Sequence, residues 1–244
     1  MLTGLPGADS TSPVSASLIS AATSLFGSPP AFWGRYFGGP YAYNAARESA
    51  VLAAHGIRLL PVADQTNHVG GTNQQGSSDA EANVSALLAA FPADHLAALG
   101  GQFLVVLDVE GTPANGNPSL ALDYYLGWAE TLTRYGQTRT GGAVTFLPAV
   151  YGRQGDQDTW NVLTQAASQG VACHGAWIAR YHTSGCNLLP WDPTFVTPAV
   201  SLPCDILLWQ FQQNCCNGAI DCDQANPTID VQTLLLDRLI QPPA

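Results

Sequence analysis

The chain has 244 residues, of which 46% are hydrophobic and only 11% charged; its net charge is −10, and all eight basic residues are arginines. That length is close to the ~250 residues of a single (β/α)8 barrel and allows one large core, so residues 1–244 are expected to form a single domain. An acidic balance with no basic cluster excludes nucleic acid and anionic membrane surfaces as electrostatic partners, and no segment approaches the ~18 apolar residues of a membrane span.

In chain order, short apolar runs alternate with amphipathic segments, the pattern of parallel βα units. Strands are expected at Leu5–Asp9, Ala31–Phe37, Ile57–Ala63, Gln102–Glu110, Ala143–Tyr151, Ala176–Tyr181 and Ile206–Phe211. Helices are expected at Ser15–Leu25, Asn44–His55, Asp79–Leu99, Leu120–Tyr135, Gln157–Gln169 and Val231–Ile240. Asp79 and Glu81 give the third helix an acidic start, and Gly56 and Gly136 stand where helices should end. One more strand is needed to close eight, and Phe195–Leu202 is the stretch left for it, although it holds Pro198 and ends at Pro203. The expected fold class is therefore α/β, a TIM-type (β/α)8 barrel or a slightly irregular variant of one. Polar stretches at 66–78, 111–119, 152–158, 182–193 and 214–226 would be the long loops of its C-terminal face.

The run Phe103-Leu104-Val105-Val106-Leu107-Asp108-Val109-Glu110 carries the clearest chemical signal. So apolar a strand is buried on both faces, and its last two carboxylates, at i and i+2, point to the same side. They project from the C-terminal end, where barrels of this class place their sites. Gly111-Thr112-Pro113 stops the strand and Ala114 to Pro118 reads as an open loop. The structural alternative is an Asp capping that loop, with Glu110 in a salt bridge. Other strand ends converge on chemistry suited to a sugar, with rings to stack on a pyranose and polar groups for its hydroxyls. They are Arg35-Tyr36, Asp64-Gln65, Tyr151, Trp177 through Tyr181, and Trp209-Gln210.

All six cysteines, Cys173, Cys186, Cys204, Cys215, Cys216 and Cys222, lie in the last third of the chain. An even number in loops suggests disulfides and an oxidising compartment, without fixing the pairing. The rival is a zinc site drawing on Cys173-His174, His182 and Cys215-Cys216, against which stands the absence of C-x₂₋₄-C spacing. Met1 to Ser28 has neither a basic start nor a continuous apolar run. An extracytoplasmic or secreted location therefore implies a signal removed before this numbering, or a route that needs none. Asn83-Val84-Ser85 matches a glycosylation sequon inside an expected helix.

Gly7-Ala8-Asp9-Ser10, Trp33-Gly34-Arg35-Tyr36-Phe37, Leu107-Asp108-Val109-Glu110, Ala149-Val150-Tyr151-Gly152, Ala176-Trp177-Ile178-Ala179-Arg180-Tyr181, Leu208-Trp209-Gln210 and Ile220-Asp221-Cys222-Asp223 follow one another along nearly the whole chain. In this order the chain resembles the bacterial and fungal domain family of unknown function DUF1906, glycoside-hydrolase-like TIM barrels related to family 25 lysozymes. The resemblance implies an Asp after the first strand, matched by Asp9, a D-x-E matched by Asp108 and Glu110, and an Asp in the last loop after W-Q, matched by Asp221. It gives Glu110 the role of general acid. Asp223 departs from the pattern, standing where the family often has Asn. Arg35, Tyr36, Gln65, Tyr151, Trp177, Tyr181 and Gln210 are the expected substrate-binding residues. Such an enzyme needs no metal or organic cofactor, and its partner is peptidoglycan or another cell-wall polysaccharide. The reading from a different class is a non-catalytic barrel that binds glycans or serves a larger assembly. No G-x-S-x-G elbow, phosphate loop or dinucleotide fingerprint supports another kind of α/β enzyme, and the sequence assigns no oligomeric state.

Overall fold

A computed structural model describes residues 2–111, 116–182 and 185–244. Thr112 and Pro113, expected to stop the fourth strand, and Ala114, at the start of the expected open loop, lie outside the described residues. Eight strands close into one barrel in sequence order: β1 Pro6–Asp9, β2 Phe32–Phe37, β3 Arg58–Ala63, β4 Gln102–Val109, β5 Thr145–Arg153, β6 Ala176–Ala179, β7 Ile206–Asn214 and β8 Ile220–Ala225. The first seven run parallel, each to the next. β8 is reversed, pairing antiparallel with both β7 and β1. This is a (β/α)8-type barrel whose last crossover is replaced by a hairpin.

The closing strand corrects the sequence-based expectation. Phe195–Leu202 is not a strand: its start belongs to a short helix, α7 (Pro193–Val196), whose first turn Asp192 caps at Thr194 N and Phe195 N. The eighth strand lies within 214–226, a stretch expected to be loop. A parallel return needs a crossover of a dozen residues or more, whereas an antiparallel one needs only a tight turn. Residues 215–219 supply that turn, with Asn214, Cys216 and Asn217 all at positive φ.

Helices pack outside the strands. α1 (Ala16–Phe26) is capped by Ser15 accepting from Leu18 N and ends at Gly27, φ 77°. α2 spans Ala45–Ala54, and Gly56 follows it at φ 66° as expected. α3 (Asn73–Ala90) starts before Asp79, under a Thr72 cap, and Pro92 separates it from α4 (Ala93–Ala98). Asp79 is thus an inner-face residue and not a helix start, accepting from Tyr124 Oη at 2.8 Å and Gln75 Nε2 at 2.9 Å. α5 (Leu122–Arg139) runs through Gly136. A Cβ at that glycine would lie 2.7 Å from the Phe146 ring, so Gly136 serves helix–sheet contact and not helix termination. α6 spans Gln157–Ser168.

The expected last helix is only a turn, Val231–Leu234, followed by a 3-10 turn at Leu236–Arg238. Breaking it turns Leu235 and Leu239 inward, where they plug the barrel floor with Phe32, Leu60, Leu104 and Leu147. The sequon Asn83 is fully buried, donating to Phe37 O and accepting from Trp128 Nε1. A glycan has no access to it.

A buried ion pair fixes the first loops. Arg35, on the outward face of β2, meets Glu48 of α2 through Nε at 2.7 Å and Nη2 at 3.3 Å, and donates from Nη1 to Ser10 O at 2.6 Å. Glu48 also accepts from Val14 N and Asn44 N. Both side chains are wholly inaccessible, so removing one strands the other in a medium that solvates it poorly. Glu48→Ala is expected to lower stability by about 3–5 kcal/mol, read from the urea midpoint; an unchanged midpoint would refute this role for the pair.

Candidate active site

At the C-terminal ends of the parallel strands, the alternation of strand side chains brings four carboxylates to one place. Asp9 ends β1, Asp108 is the last inward residue of β4, and Glu110 follows one residue beyond that strand. Reversal of β8 brings its beginning, Asp221, to this same end, in register with Asp9. The four line one small cavity of about 20 Å³ with Tyr36, Val62, Tyr151, Trp177 and Gln210, room for about a single water. A pocket of about 140 Å³ lies on the Asp9 and Asp221 side, between Ser10, Tyr36 and the Asn214 turn. Beyond Glu110 a groove of about 530 Å³ is lined by Gly111, Ser119, Arg153 and the start of α6.

Gln210 organises the mouth. Its Oε1 accepts from Tyr151 Oη at 2.7 Å and Tyr181 Oη at 2.9 Å. With the oxygen so engaged, its Nε2 donates to Asp9 Oδ2 at 2.9 Å and Asp221 Oδ2 at 3.5 Å. Asp221 Oδ1 accepts from Asn214 N at 2.7 Å, and Asp108 Oδ2 from Thr66 Oγ1 at 3.0 Å. Gly34 permits the close approach of β2, since a Cβ there would lie 2.7 Å from Asp9 Cβ.

Crowding acidic groups in a dry site favours their protonated forms. Burial, then the charge of Asp221, pushes Asp9 from an ordinary 3.8 up to about 7, against the hydrogen bonds from Gln210 and Asp223. Asp108 is held well above its usual range by burial and by Glu110, with Thr66 opposing. Glu110 is raised by burial, with Arg153 opposing and Asp221 and Asp64 reinforcing. Burial also raises Asp221, against the Asn214 N–H.

Of the residues expected from sequence, Asp9, Asp108, Glu110 and Asp221 converge with Tyr36, Tyr151, Trp177 and Gln210. Tyr181 joins through Gln210. Two do not. Arg35 is on the opposite face of β2, sealed in its ion pair, and Gln65 turns toward Gly38, where a Cβ would meet its Nε2 at 3.4 Å. Trp177 and Tyr151 are buried and packed edge to face, 4.9 Å between centroids. They form the floor of the mouth, and Tyr36 and Tyr181 are the half-buried rings beside it.

Arg153 and Asp223 are near the site without being among its expected residues, and Asp64 is expected only as a polar strand end. Asp64 bears on Asp108 and Glu110, Arg153 bears on Glu110, and Asp223 lies beside Asp9. The i, i+2 rule that pairs Asp108 with Glu110 also pairs Asp221 with Asp223 and Val62 with Asp64. Applied to every strand, it gives Asp223 and Asp64 a place in the site.

Of the cysteines, Cys186 and Cys215 are joined in a disulfide that ties the loop after β6 to the β7–β8 turn. Cys173, Cys204, Cys216 and Cys222 are thiols. Cys186, Cys215 and Cys222 bring their sulfurs within 4.8 Å of one another. The disulfide consumes two of the three, so this trio is not a metal centre, and Cys215 is likewise withdrawn from the zinc set considered from sequence.

No protein-family model matches the chain, nor does any curated protein. Among solved structures it is similar to an uncharacterized B. stearothermophilus protein, with TM-score 0.71 and 19% identity over 97% of this chain and 100% of that one. It is also similar to the catalytic domain of endolysin ply40 from bacteriophage P40 of Listeria monocytogenes, with TM-score 0.52 and 14% identity over 98% and 99% of the two chains. At such identities the likeness is one of fold. A family 25 glycosyl hydrolase from Bacillus anthracis aligns at TM-score 0.47 and 11% identity, over 95% of this chain and 93% of that one.

The raised carboxyls give stability a definite pH dependence. A group whose folded pKa exceeds its unfolded one binds more protons when folded, so stability falls as pH rises between the two values. For Asp9 that window runs from 3.8 to about 7. Urea unfolding is expected to show the protein more stable near pH 5 than near pH 7.5, by on the order of a few kcal/mol at about 1.4 kcal/mol per pKa unit. Stability that rises across this window would contradict the site as described.

Proposed function

We propose that the protein is a glycoside hydrolase acting on peptidoglycan or another cell-wall polysaccharide. The observation that carries this reading is the meeting of Asp9, Asp108, Glu110 and Asp221 around one cavity at the barrel mouth, with Gln210 orienting two of them. The barrel shared with an endolysin catalytic domain supports it at the level of fold.

Glycosidic cleavage needs a carboxylic acid to protonate the leaving oxygen and a carboxylate to stabilise the developing cation or activate water. Glu110 suits the first role. It stands at the solvent edge of the cavity, beside the groove lined by Gly111 and Arg153, and its environment favours the protonated form. Asp221 and Asp9, aimed by the Gln210 amide, suit the second, together with Asp108 held by Thr66. Tyr36 and Tyr181 offer rings to the sugar. The substrate would lie across the mouth between the two larger pockets, because the central cavity is too small for a pyranose.

Action on a wall polymer places the protein outside the cytoplasm, in keeping with its disulfide. No helix among the described residues is long and apolar enough to cross a membrane. A second reading, a barrel that binds glycans without cleaving them, is favoured by one observation: the hydrogen bonds of Gln210 are already filled within the protein.

The two readings part on reducing-end release from purified peptidoglycan and a panel of wall polysaccharides. Glu110→Gln is expected to cut turnover by about 10²–10⁴-fold, the usual worth of a general acid, with an unchanged melting temperature. Parent activity should also fall as rising pH deprotonates Glu110. Binding by both proteins without release from any substrate would establish the glycan-binding barrel instead.

A further inference from the structure

Beneath the four mouth carboxylates lies a fifth. Asp223 sits two residues along β8 from Asp221 and points into the barrel from the same face, level with Gly7 of β1. It is wholly inaccessible to solvent. Trp177 Nε1 donates to its Oδ1 at 3.0 Å. Its Oδ2 has no hydrogen-bond partner among the described residues, and the register sets it diagonally across from Asp9, two positions along β1 from Gly7 on the same inward face. If both carboxyls were ionised, two acceptors would face each other with nothing between them. A buried acceptor left without a donor is costly, and two adjoining carboxylates relieve that cost by holding one proton jointly.

We infer that Asp9 and Asp223 share a single proton between their carboxyl groups, and that Asp223 is thereby a positioning residue governing when Asp9 becomes an anion. The catalytic consequence rests on the hydrolase reading; the shared proton does not. The glycines around the pair make it possible. Gly7 and Gly34 leave room where a Cβ would strike the Phe32 ring and Asp9 itself. Gln210, the cross-strand neighbour of Asp223 on β7, donates to Asp9 Oδ2, which leaves the other Asp9 oxygen for the shared proton.

The other titratable groups around the pair are Tyr36 of β2, Asp108 of β4 with Glu110 just beyond it, Tyr151 of β5, Tyr181 beyond β6, and Asp221 and Cys222 of β8, with Asp64 beyond β3 bearing on Asp108. Arg153, at the end of β5, is the cation that bears on Glu110. A mouth so acidic keeps the proton in place well above the ordinary carboxyl range. At that pH Asp9 is half of an acid pair and not a simple anion.

The test is a ¹³C NMR titration of aspartate carboxyls in the full chain, from about pH 3 to about pH 9, covering the ordinary and raised ranges. In the parent, the Asp9 and Asp223 resonances should move together as the shared proton is lost, above the ordinary carboxyl range, because the steps of such a pair belong to both groups. Asp223→Asn keeps an acceptor for Trp177 and gives Asp9 an N–H donor. It should lower the Asp9 midpoint by about one unit or more and carry the acid limb of any glycan turnover down with it. Trp177→Phe, which leaves both carboxyls, should keep the joint step and move its midpoint upward. Independent titration of the two carboxyls near ordinary values in the parent would overturn the inference, as would an Asp9 midpoint indifferent to Asp223→Asn. If the parent cleaves no glycan, the titration still decides the matter, and that failure belongs to the hydrolase reading alone.

Discussion

The primary amide of Gln210 sets the polarity of the barrel mouth. Its oxygen is saturated by the hydroxyls of Tyr151 and Tyr181, so its nitrogen is committed to Asp9 and Asp221. Turned the other way, the amide would set an oxygen against two carboxyls and leave two tyrosine hydroxyls facing donors. Buried polar groups in such networks are strongly directional because each unmet partner is expensive. One side chain from β7 thereby aligns acids contributed by the first and last strands, and tyrosines from β5 and from just beyond β6.

The mouth is assembled against the grain of folding. Its carboxyls are raised by burial and by one another, so the native state holds them at some expense of stability around neutral pH. The rest of the protein offsets this with features remote from the site. The Arg35–Glu48 pair ties β2, α2 and the loop after β1, Leu235 and Leu239 close the floor, and side-chain caps begin α1, α3 and α6. Local rules broken at a site and obeyed elsewhere are the usual mark of a functional centre.

Six strands, β2 to β7, are legible because a parallel barrel strand is apolar on both faces and stands out as a run, as in Phe103 to Val109, whereas β1, Pro6-Gly7-Ala8-Asp9, gives only a weak signal. That same property hides which way a given residue points. Arg35 and Tyr36 are neighbours in one such run, and nothing in its hydropathy says that Tyr36 faces the cavity while Arg35 faces α2. The strict alternation of β4, with two acids at i and i+2, placed Asp108 and Glu110 correctly. β8 escaped notice because Asp221 and Asp223 occupy its inward positions, so its interior face reads as polar and the segment as a loop. The stretch that sequence offers for the closing strand, Phe195–Leu202, is bounded and interrupted by prolines that lack the N–H groups a ladder needs. The helix ends at Asp79 and Gly136 were misplaced for a tertiary reason: both residues serve contacts with neighbouring elements, α5 for the first and β5 for the second.

The reversed strand also bears on how the molecule comes into being. β8 lies between β7 and β1, so the first and last strands of the barrel must meet, with Gly4 N bonded to Gln224 Oε1 across 220 positions of sequence. Contacts of such long separation form late and slowly. A ribosome-bound chain that has emerged only through β7 possesses Asp108, Glu110 and Gln210 but lacks Asp221 and Asp223, and its first strand has an open edge. The complete carboxyl set exists only after β8 has emerged and paired with β1. For a protein whose proposed target is a cell wall, this timing withholds the finished site from every copy that stops short of β8.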